Sequence, residues 1–225
     1  MAIQLLSARD AALQNGIKVL IYGPAGAGKT VFCTTAPEGE KTLIISAEGG
    51  LLSIQDADQV DVCVVSSLDD VYEIYNHLKG DHPYKWVCLD SISEIAEVVL
   101  TSEKAKTKDP RQAYGALIDQ MTALIRSFRD LPVNVVMTAK MDRVNDDHNN
   151  TLLFMPSMPG ARLAQSLAYY FDEVFCLRLT KNADGVTERS LQTSRDIQYE
   201  AKDRSGKLDP YEYPTLANIA AKIRN

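Results

Sequence analysis

The stretch IKVLIYGPAGAGKT, residues 17–30, carries the strongest structural signal in the chain. Its first half, residues 17–22, is an apolar and β-rich run, which is typical of a buried strand. This run passes directly into a glycine-rich turn, after which a helix can begin at Gly28. A strand, a glycine-rich turn and a helix in this order favour an α/β domain with a parallel sheet.

The turn also matches a phosphate-binding pattern, G-x-x-x-x-G-K-[ST], at every fixed position. The glycines let backbone N–H groups turn inward around a β-phosphate, and the N-terminus of a helix adds positive potential. Lys29 would contact the β- and γ-phosphates, and the Thr30 hydroxyl would contact magnesium. We therefore predict a site for ATP and Mg²⁺ formed by Gly23, Pro24, Ala25, Gly26, Ala27, Gly28, Lys29, Thr30 and Val31.

The remaining pattern alternates strands with helices. Further strands are predicted at residues 42–47, 60–65, 85–90 and 133–139, and helices at residues 8–14, 68–79, 92–100 and 113–128. Towards the C-terminus we predict a hairpin of residues 174–179 and 186–193, a strand at 197–201 and a helix at 213–223. The pattern predicts one α/β domain over residues 1–225, with a mostly parallel sheet flanked by helices and C-terminal antiparallel strands.

Composition limits the possible functions. A chain of 225 residues with 45% hydrophobic residues can form one ordinary core. The formal net charge of −6 counts against general nucleic-acid binding, so any DNA contact needs a local basic patch. The four cysteines and three histidines lack metal-ligand spacing. No signal peptide or membrane-spanning run is visible, which predicts a cytoplasmic protein with no membrane partner.

Carboxylates follow two of the predicted strands. The strand WVCLD, residues 86–90, ends in Asp90, which we predict holds magnesium opposite Thr30; the alternative is that Asp90 only caps the next helix. A catalytic base must orient a water near the γ-phosphate. Glu94 is predicted to lie on the helix and away from the phosphate. Glu48 follows the second strand, at the edge where α/β sheets bind ligands, and is our predicted base.

These motifs carry a resemblance to a known family. SAEGGL at residues 46–51 resembles the Asp-Ala-Glu-x-x-Leu segment of the RecA family, whose glutamate activates the hydrolytic water, and Leu89-Asp90-Ser91 resembles the end of its Walker B strand. More narrowly, residues 17–30, 170–174 (YFDEV) and 201–204 (AKDR) are similar to those of small phage-encoded RecA-like ATPases. Some members of that group are single-strand annealing recombinases. The resemblance implies a RecA-like P-loop NTPase core.

Further site residues follow from this resemblance. RecA-like and KaiC-like ATPases place a Lys-x-Arg or Lys-x-Lys pair on a late strand, where it reaches the γ-phosphate bound by a neighbouring subunit. Lys202 and Arg204 match that pair, which implies catalysis across the interface of a homo-oligomeric ring or filament; the alternative is a solvated charged turn. Lys140 occupies a sensor position that carries glutamine in RecA, and it either senses the γ-phosphate or is a loop lysine.

The resemblance also implies single-stranded DNA as a partner, bound by two loops. The first corresponds to residues 101–111, a local basic patch suited to a phosphate backbone. The second corresponds to residues 141–160 and combines polar and apolar groups. Either segment can instead be ordinary solvated surface. The residues singled out are Lys104, Lys106, Lys108 and Arg111 in the first loop, and Arg143, Asn149, Asn150, Phe154 and Met158 in the second.

The leading functional prediction is an ATPase that acts on single-stranded DNA in phage recombination or strand annealing, in the cytoplasm of a bacterial host, with a single-strand-binding protein as a possible further partner. One alternative is an oligomeric nucleotide-dependent switch or assembly ATPase without DNA. A less favoured alternative is a nucleotide kinase, because the phosphate-binding pattern alone does not exclude phosphotransfer. No arginine-rich lid segment supports that alternative.

Overall fold

The computed structural model of the chain describes residues 5–7, 10, 14–146 and 151–225. Its strands are β1 (Lys18–Gly23), β2 (Thr42–Ser46), β3 (Val60–Val64), β4 (Trp86–Asp90), β5 (Asn134–Asp146), β6 (Thr151–Pro156), β7 (Glu173–Lys181), β8 (Thr187–Gln192), β9 (Lys202–Asp203) and β10 (Tyr211–Glu212). Its helices are α1 (Lys29–Cys33), α2 (Leu68–His77), α3 (Ile92–Lys106), α4 (Pro110–Arg129), α5 (Ala161–Ser166) and α6 (Leu216–Arg224), with 3₁₀ turns at Leu51–Ile54 and Leu167–Tyr170.

The strands lie in the order β10-β8-β7-β1-β5-β4-β2-β3, with β6 paired to β5 and β9 paired to β7. Pairing is parallel from β7 through β1, β5, β4 and β2 to β3. The strands β6, β8, β9 and β10 pair antiparallel. The predicted α/β fold, with a mostly parallel sheet and antiparallel additions near the C-terminus, is confirmed.

Apolar side chains of the central strands divide between two faces, because successive side chains of a strand point to opposite sides. In β1, Leu20 and Tyr22 pack into one cluster with α2, α3 and α4. Val19 and Ile21 pack into the other cluster with α1 and α6. Helices therefore cover both faces of the sheet, and the site is restricted to the edge where the strands end.

The segment after the fifth strand differs from the prediction. We expected a strand at residues 133–139 followed by a loop over residues 141–160, whereas β5 continues and forms a hairpin with β6, with Met141 opposite Pro156. The residues 147–150 lie outside the described part of the chain, and with them Asn149 and Asn150. The extension of β5 was missed because residues 142–146 are mostly polar, and β6 was missed because its apolar run, residues 152–156, does not alternate with polar residues.

The predicted first loop is wrong as well. The helix α3 continues past residue 100, and α4 begins at Pro110 after a connection of residues 107–109. Asp109 caps α4 by accepting a hydrogen bond from the backbone N–H of Arg111 (2.9 Å), with Pro110 at the first helical position. The basic segment is therefore a helix end, a short turn and a helix start.

Two C-terminal predictions need correction. Residues 197–201 form no strand beyond an isolated bridge between Tyr199 and Phe154. The Asp196 carboxylate accepts the backbone N–H groups of Gln198 and Tyr199 at 2.8 and 2.7 Å and turns the chain there. The last helix begins at Leu216 rather than residue 213, with Thr215 as its cap. The predicted N-terminal helix at residues 8–14 lies mostly outside the described residues.

Candidate functional site

The glycine-rich loop joins β1 to α1 at the carboxyl edge of the parallel strands. Gly28 has a φ of 104°, in the left-handed region that side chains disfavour, and it immediately precedes the helix. A Cβ atom on Gly23 would lie 2.9 Å from the Leu177 carbonyl oxygen of the neighbouring strand β7. The backbone path of the loop therefore requires glycine at both positions.

Lys29, the first residue of α1, folds back over this loop. Its Nζ atom donates hydrogen bonds to the carbonyl oxygens of Gly23 and Pro24, each at 3.1 Å. Burial lowers the pKa of Lys29, while the carboxylates of Glu48 and Asp90 act in the opposite direction. The ammonium thus lies inside the loop, with two acidic groups near enough to affect its titration.

Asp90 lies at the end of β4 and is almost fully buried. Its Oδ2 atom accepts a hydrogen bond from the Thr30 hydroxyl at 2.6 Å, and its Oδ1 atom accepts one from the Thr138 hydroxyl. The cap of α3 is Ser91, which accepts the backbone N–H of Glu94, so the alternative that Asp90 is the cap is wrong. The peptide bond between Asp90 and Ser91 is cis.

The order of the sheet explains how these groups meet. Strand β5 lies between β1 and β4, so Thr138 reaches Asp90 from the intervening strand. Thr138 is fully buried. A polar residue inside the apolar run of β5 was the one sequence signal that could have identified it. With both carboxylate oxygens hydrogen-bonded, the orientation of Asp90 is fixed.

Glu48 follows β2 by two residues. Strand β2 pairs with β4, with Ser46 opposite Asp90, which brings Glu48 to the same edge of the sheet as the glycine-rich loop. The Ser91 hydroxyl donates a hydrogen bond to Glu48 Oε1. Glu48, Lys29, Thr30 and Asp90 all line one cavity of about 600 Å³. The structure therefore brings these four predicted site residues together.

Lys140 lies beside the site but is engaged elsewhere. It is the register partner of Gly23 in the pairing of β5 with β1. Its Nζ atom forms an ion pair with Glu94, and this hydrogen bond raises the pKa of Lys140. Neither residue is among those that line the cavity around the glycine-rich loop. The position of Glu94 on α3 agrees with its prediction as a helix residue.

Lys202 and Arg204 contact a different part of the molecule. The Lys202 Nζ atom donates to the carbonyl oxygens of Ala168, at 2.7 Å, and Phe171. Arg204 forms an ion pair of 2.9 Å with Asp172. Neither cation lines the cavity around the glycine-rich loop of its own chain. We expected both residues on a strand, but only Lys202 lies on one, because β9 ends at residue 203.

Arg189 was missed by the sequence analysis. It lies on β8, and its Nε atom donates a hydrogen bond to the carbonyl oxygen of Ala27 in the glycine-rich loop at 2.9 Å. The side chain is exposed and lines the same cavity as Lys29. The sequence around it, TERSLQ, has no recognisable motif, so only the packing of β8 against β7 reveals this neighbour.

The basic segment forms a surface around Tyr114. The Lys104 ammonium lies 5.6 Å from the centre of the Tyr114 ring, which is 36% exposed. A Cβ atom on Gly160 would lie 3.7 Å from the Tyr114 ring, so the two predicted DNA loops meet at this residue. Lys106 is paired with Glu103.

The three described side chains singled out in the second predicted loop, Arg143, Phe154 and Met158, differ from one another in exposure and contacts. Phe154 stacks on Tyr199 with 4.8 Å between ring centres, and Met158 is buried. Arg143 remains exposed on β5. Of the two apolar groups proposed for DNA contact, Phe154 therefore packs against the protein and Met158 belongs to the core.

A glycine-rich loop between a strand and a helix, closed by a lysine, a hydroxyl and a buried aspartate, defines a P-loop nucleoside-triphosphatase. Residues 15–205 match the sequence profile of a family described as an AAA domain, and the chain belongs to this family. No curated protein matches the sequence significantly.

Within the described ranges, no group of three or more His, Cys, Asp or Glu side chains is arranged to hold a metal ion. In the same part of the chain, no helix combines the length and apolar character required to cross a bilayer.

Proposed function

We propose that the chain is an ATPase that binds ATP and Mg²⁺ at the glycine-rich loop and acts on single-stranded DNA in recombination or strand annealing. The convergence of Lys29, Thr30, Asp90 and Glu48 on one cavity supports the ATPase part of this proposal. Backbone N–H groups of the loop and the Lys29 ammonium would bind the β- and γ-phosphates. The DNA part depends on the surface around Tyr114.

The donor groups fit magnesium. The Thr30 hydroxyl and the Asp90 carboxylate are hard oxygen ligands, and they already lie within hydrogen-bond distance of each other at 2.6 Å. In P-loop proteins one hydroxyl and one carboxylate suffice, because the nucleotide and water supply the other ligands. When bound, Mg²⁺ would neutralise charge on the phosphate oxygens. Thr138 would keep the Asp90 carboxylate in place.

Glu48 is the proposed general base. Its carboxylate would accept a proton from the water that attacks the γ-phosphate, and it would orient that water. The hydrogen bond from the Ser91 hydroxyl to Oε1 restrains the carboxylate and leaves Oε2 for the water. Because Ser91 directly follows Asp90, the residue that holds the proposed base is adjacent in sequence to the proposed magnesium ligand.

The surface around Tyr114 supports the choice of single-stranded DNA. A partly exposed aromatic ring beside Lys104 offers a base-stacking face next to a cation for the phosphate backbone. Lys108, in the short connection between α3 and α4, and Arg111, in the first turn of α4, add positive charge nearby. A local basic patch of this kind is what an acidic protein needs for nucleic-acid binding.

We also propose a homo-oligomer in which Lys202 and Arg204 serve the nucleotide of a neighbouring subunit. These two residues do not line the cavity of their own chain, so a phosphate contact by them requires a second copy. Arg204 keeps 58% of its side chain exposed while paired with Asp172. Such an exposed pair contributes little stability, so it can be exchanged for a phosphate contact.

The test is binding of a fluorescent single-stranded oligonucleotide, measured by anisotropy at moderate salt with and without ATP and Mg²⁺. We expect ATP-dependent binding that is lost in Lys29→Ala and weakened about tenfold in Tyr114→Ala. The matched control is Tyr211→Ala, which removes an exposed tyrosine from β10 at the far end of the sheet.

Other outcomes select the alternatives. ATP hydrolysis without DNA binding in either state would refute the DNA part and favour an assembly switch. Formation of a phosphorylated product from an added nucleoside or nucleotide would favour a kinase.

A further inference from the structure

Arg189 contacts the glycine-rich loop from the strand β8. The hairpin of β7 and β8 places Arg189 opposite Leu179 and carries its side chain over the loop. The Nε atom lies 2.9 Å from the Ala27 carbonyl oxygen, and it would lie 3.6 Å from a Cβ atom on Gly28. The contact therefore joins the edge of the hairpin to the peptide between Ala27 and Gly28.

The orientation of that peptide matters because backbone N–H groups of the loop would bind the phosphates. In a planar trans peptide the C=O and N–H groups point in opposite directions. The hydrogen bond from Arg189 to the Ala27 carbonyl oxygen therefore also restrains the direction of the Gly28 N–H. Gly28 adopts the left-handed backbone conformation, and glycine has more backbone freedom than any other residue. A hydrogen bond from outside the loop therefore restricts the conformations open to this peptide.

The rest of the guanidinium group is free to bind a ligand. Among the residues that the structure describes, the terminal nitrogens of Arg189 have no hydrogen-bond acceptor. The planar group of arginine presents donors along more than one edge, so Nε can hold the carbonyl while the terminal nitrogens contact an anion. The side chain lines the nucleotide cavity, which places those donors next to the loop.

The charge of the cavity is an independent reason to expect that Arg189 binds the nucleotide. Its described lining contains two carboxylates, Glu48 and Asp90, and two cations, Lys29 and Arg189. Without Arg189, Lys29 and the proposed Mg²⁺ would face both carboxylates as well as a polyphosphate. An always-protonated arginine offsets that excess of negative charge at every working pH.

We propose that Arg189 is a nucleotide-binding residue supplied by the same chain, which holds the peptide between Ala27 and Gly28 through Nε and binds an α- or β-phosphate oxygen through its terminal nitrogens. This assignment rests on the proposed binding of ATP at the loop. It differs from the proposed role of Lys202 and Arg204, which act across a subunit boundary and on turnover. Arg189 acts within one subunit and on nucleotide affinity.

The test measures the affinity of fluorescent ADP and of a non-hydrolysable ATP analogue for the whole protein. We expect Arg189→Met to weaken both by the same factor, roughly tenfold or more, because a hydrogen bond between charged groups is lost in each complex. Arg189→Lys keeps the charge but lacks the forked donors, so we expect its nucleotide affinity to lie between those of the wild type and Arg189→Met. Lys181→Met, which removes an exposed cation from β7 of the same hairpin, should bind as the wild type does.

The melting temperature without nucleotide separates binding from a purely structural role. Arg189 is exposed, so Arg189→Met should change it by no more than about 3 °C. The inference is overturned if Arg189→Met binds both nucleotides as tightly as the wild type does. It is also overturned if only the affinity for the ATP analogue falls, or if the melting temperature without nucleotide falls by much more than that. The Lys29→Ala variant tests the proposed function separately: if the wild type binds nucleotide no better than Lys29→Ala, that proposal fails first.

Discussion

Glu173, at the start of β7, should make the stability of the protein depend on pH in a direction opposite to that of most carboxylates. The residue is 1% exposed, and its Oε2 atom has no hydrogen-bond partner among the described residues. Burial, together with Asp203 opposite it in β9, raises the pKa of Glu173 to about 8. We expect a Glu173 carboxyl that keeps its proton at neutral pH.

The sign follows from proton counts. The pKa of an ordinary glutamate is about 4.5, so between that value and about 8 the folded state holds a proton that the unfolded state has lost. The free energy of unfolding therefore falls as pH rises through this window, by up to 1.36 kcal/mol per pH unit. From about pH 5 to about pH 8 the Glu173 contribution falls by about 3 kcal/mol.

The assay is urea unfolding of the wild type and Glu173→Gln near pH 5 and near pH 8. Glutamine keeps the shape of the side chain and stays uncharged at every pH, as the protonated acid does below its pKa. We expect similar stabilities near pH 5 and a more stable variant near pH 8. As a control, Glu188→Gln removes an exposed carboxylate from β8 and should leave the wild-type pH dependence unchanged. Parallel pH profiles for the wild type and Glu173→Gln would refute the reasoning.

Three further predictions concern the nucleotide site. Glu48→Gln should lower the rate of ATP turnover by about a hundredfold or more, because it removes the proposed base, and should leave ATP affinity within about twofold. Phosphate release and nucleotide binding measure these two quantities. Turnover at the wild-type rate would exclude Glu48 as the base. Thr138→Val removes one donor to Asp90 and should raise the Mg²⁺ concentration for half-maximal activity tenfold or more, as a magnesium titration will show. Lys202→Ala combined with Arg204→Ala should abolish turnover and leave ATP binding intact; unchanged turnover would remove the proposed role across the subunit interface.

Local sequence was sufficient for the glycine-rich loop and for the central strands. The loop is formed by eight consecutive residues, so the sequence motif by itself specifies which residues lie together in the structure. The strands β1, β2 and β4 are short apolar runs without a competing helical period, and their predicted bounds agree with the structure to within about one residue. Glu48 and Asp90 could be assigned to one edge because each directly follows or ends such a strand.

Sequence reasoning was weaker where side chains are exposed. The hairpin of β5 and β6 was expected to be a loop, since residues 142–146 are mostly polar and the apolar run of β6 shows no period-2 alternation. The connection between α3 and α4 was expected to be longer, because charged residues at a helix end carry no apolar period. The hairpin has a tertiary neighbour in the stack of Phe154 on Tyr199, whereas α4 begins at the local Asp109 cap.

By itself, the sequence determined that this protein has a P-loop, a buried aspartate at a strand end and an α/β core, because each is encoded by residues close together in the chain. Only the tertiary structure decided which distant residues complete the site. Thr138 reaches Asp90 across 48 positions, and Arg189 reaches Ala27 across 162. Those contacts depend on the order of strands in the sheet, which is set by packing of the whole core and leaves no local pattern in the sequence.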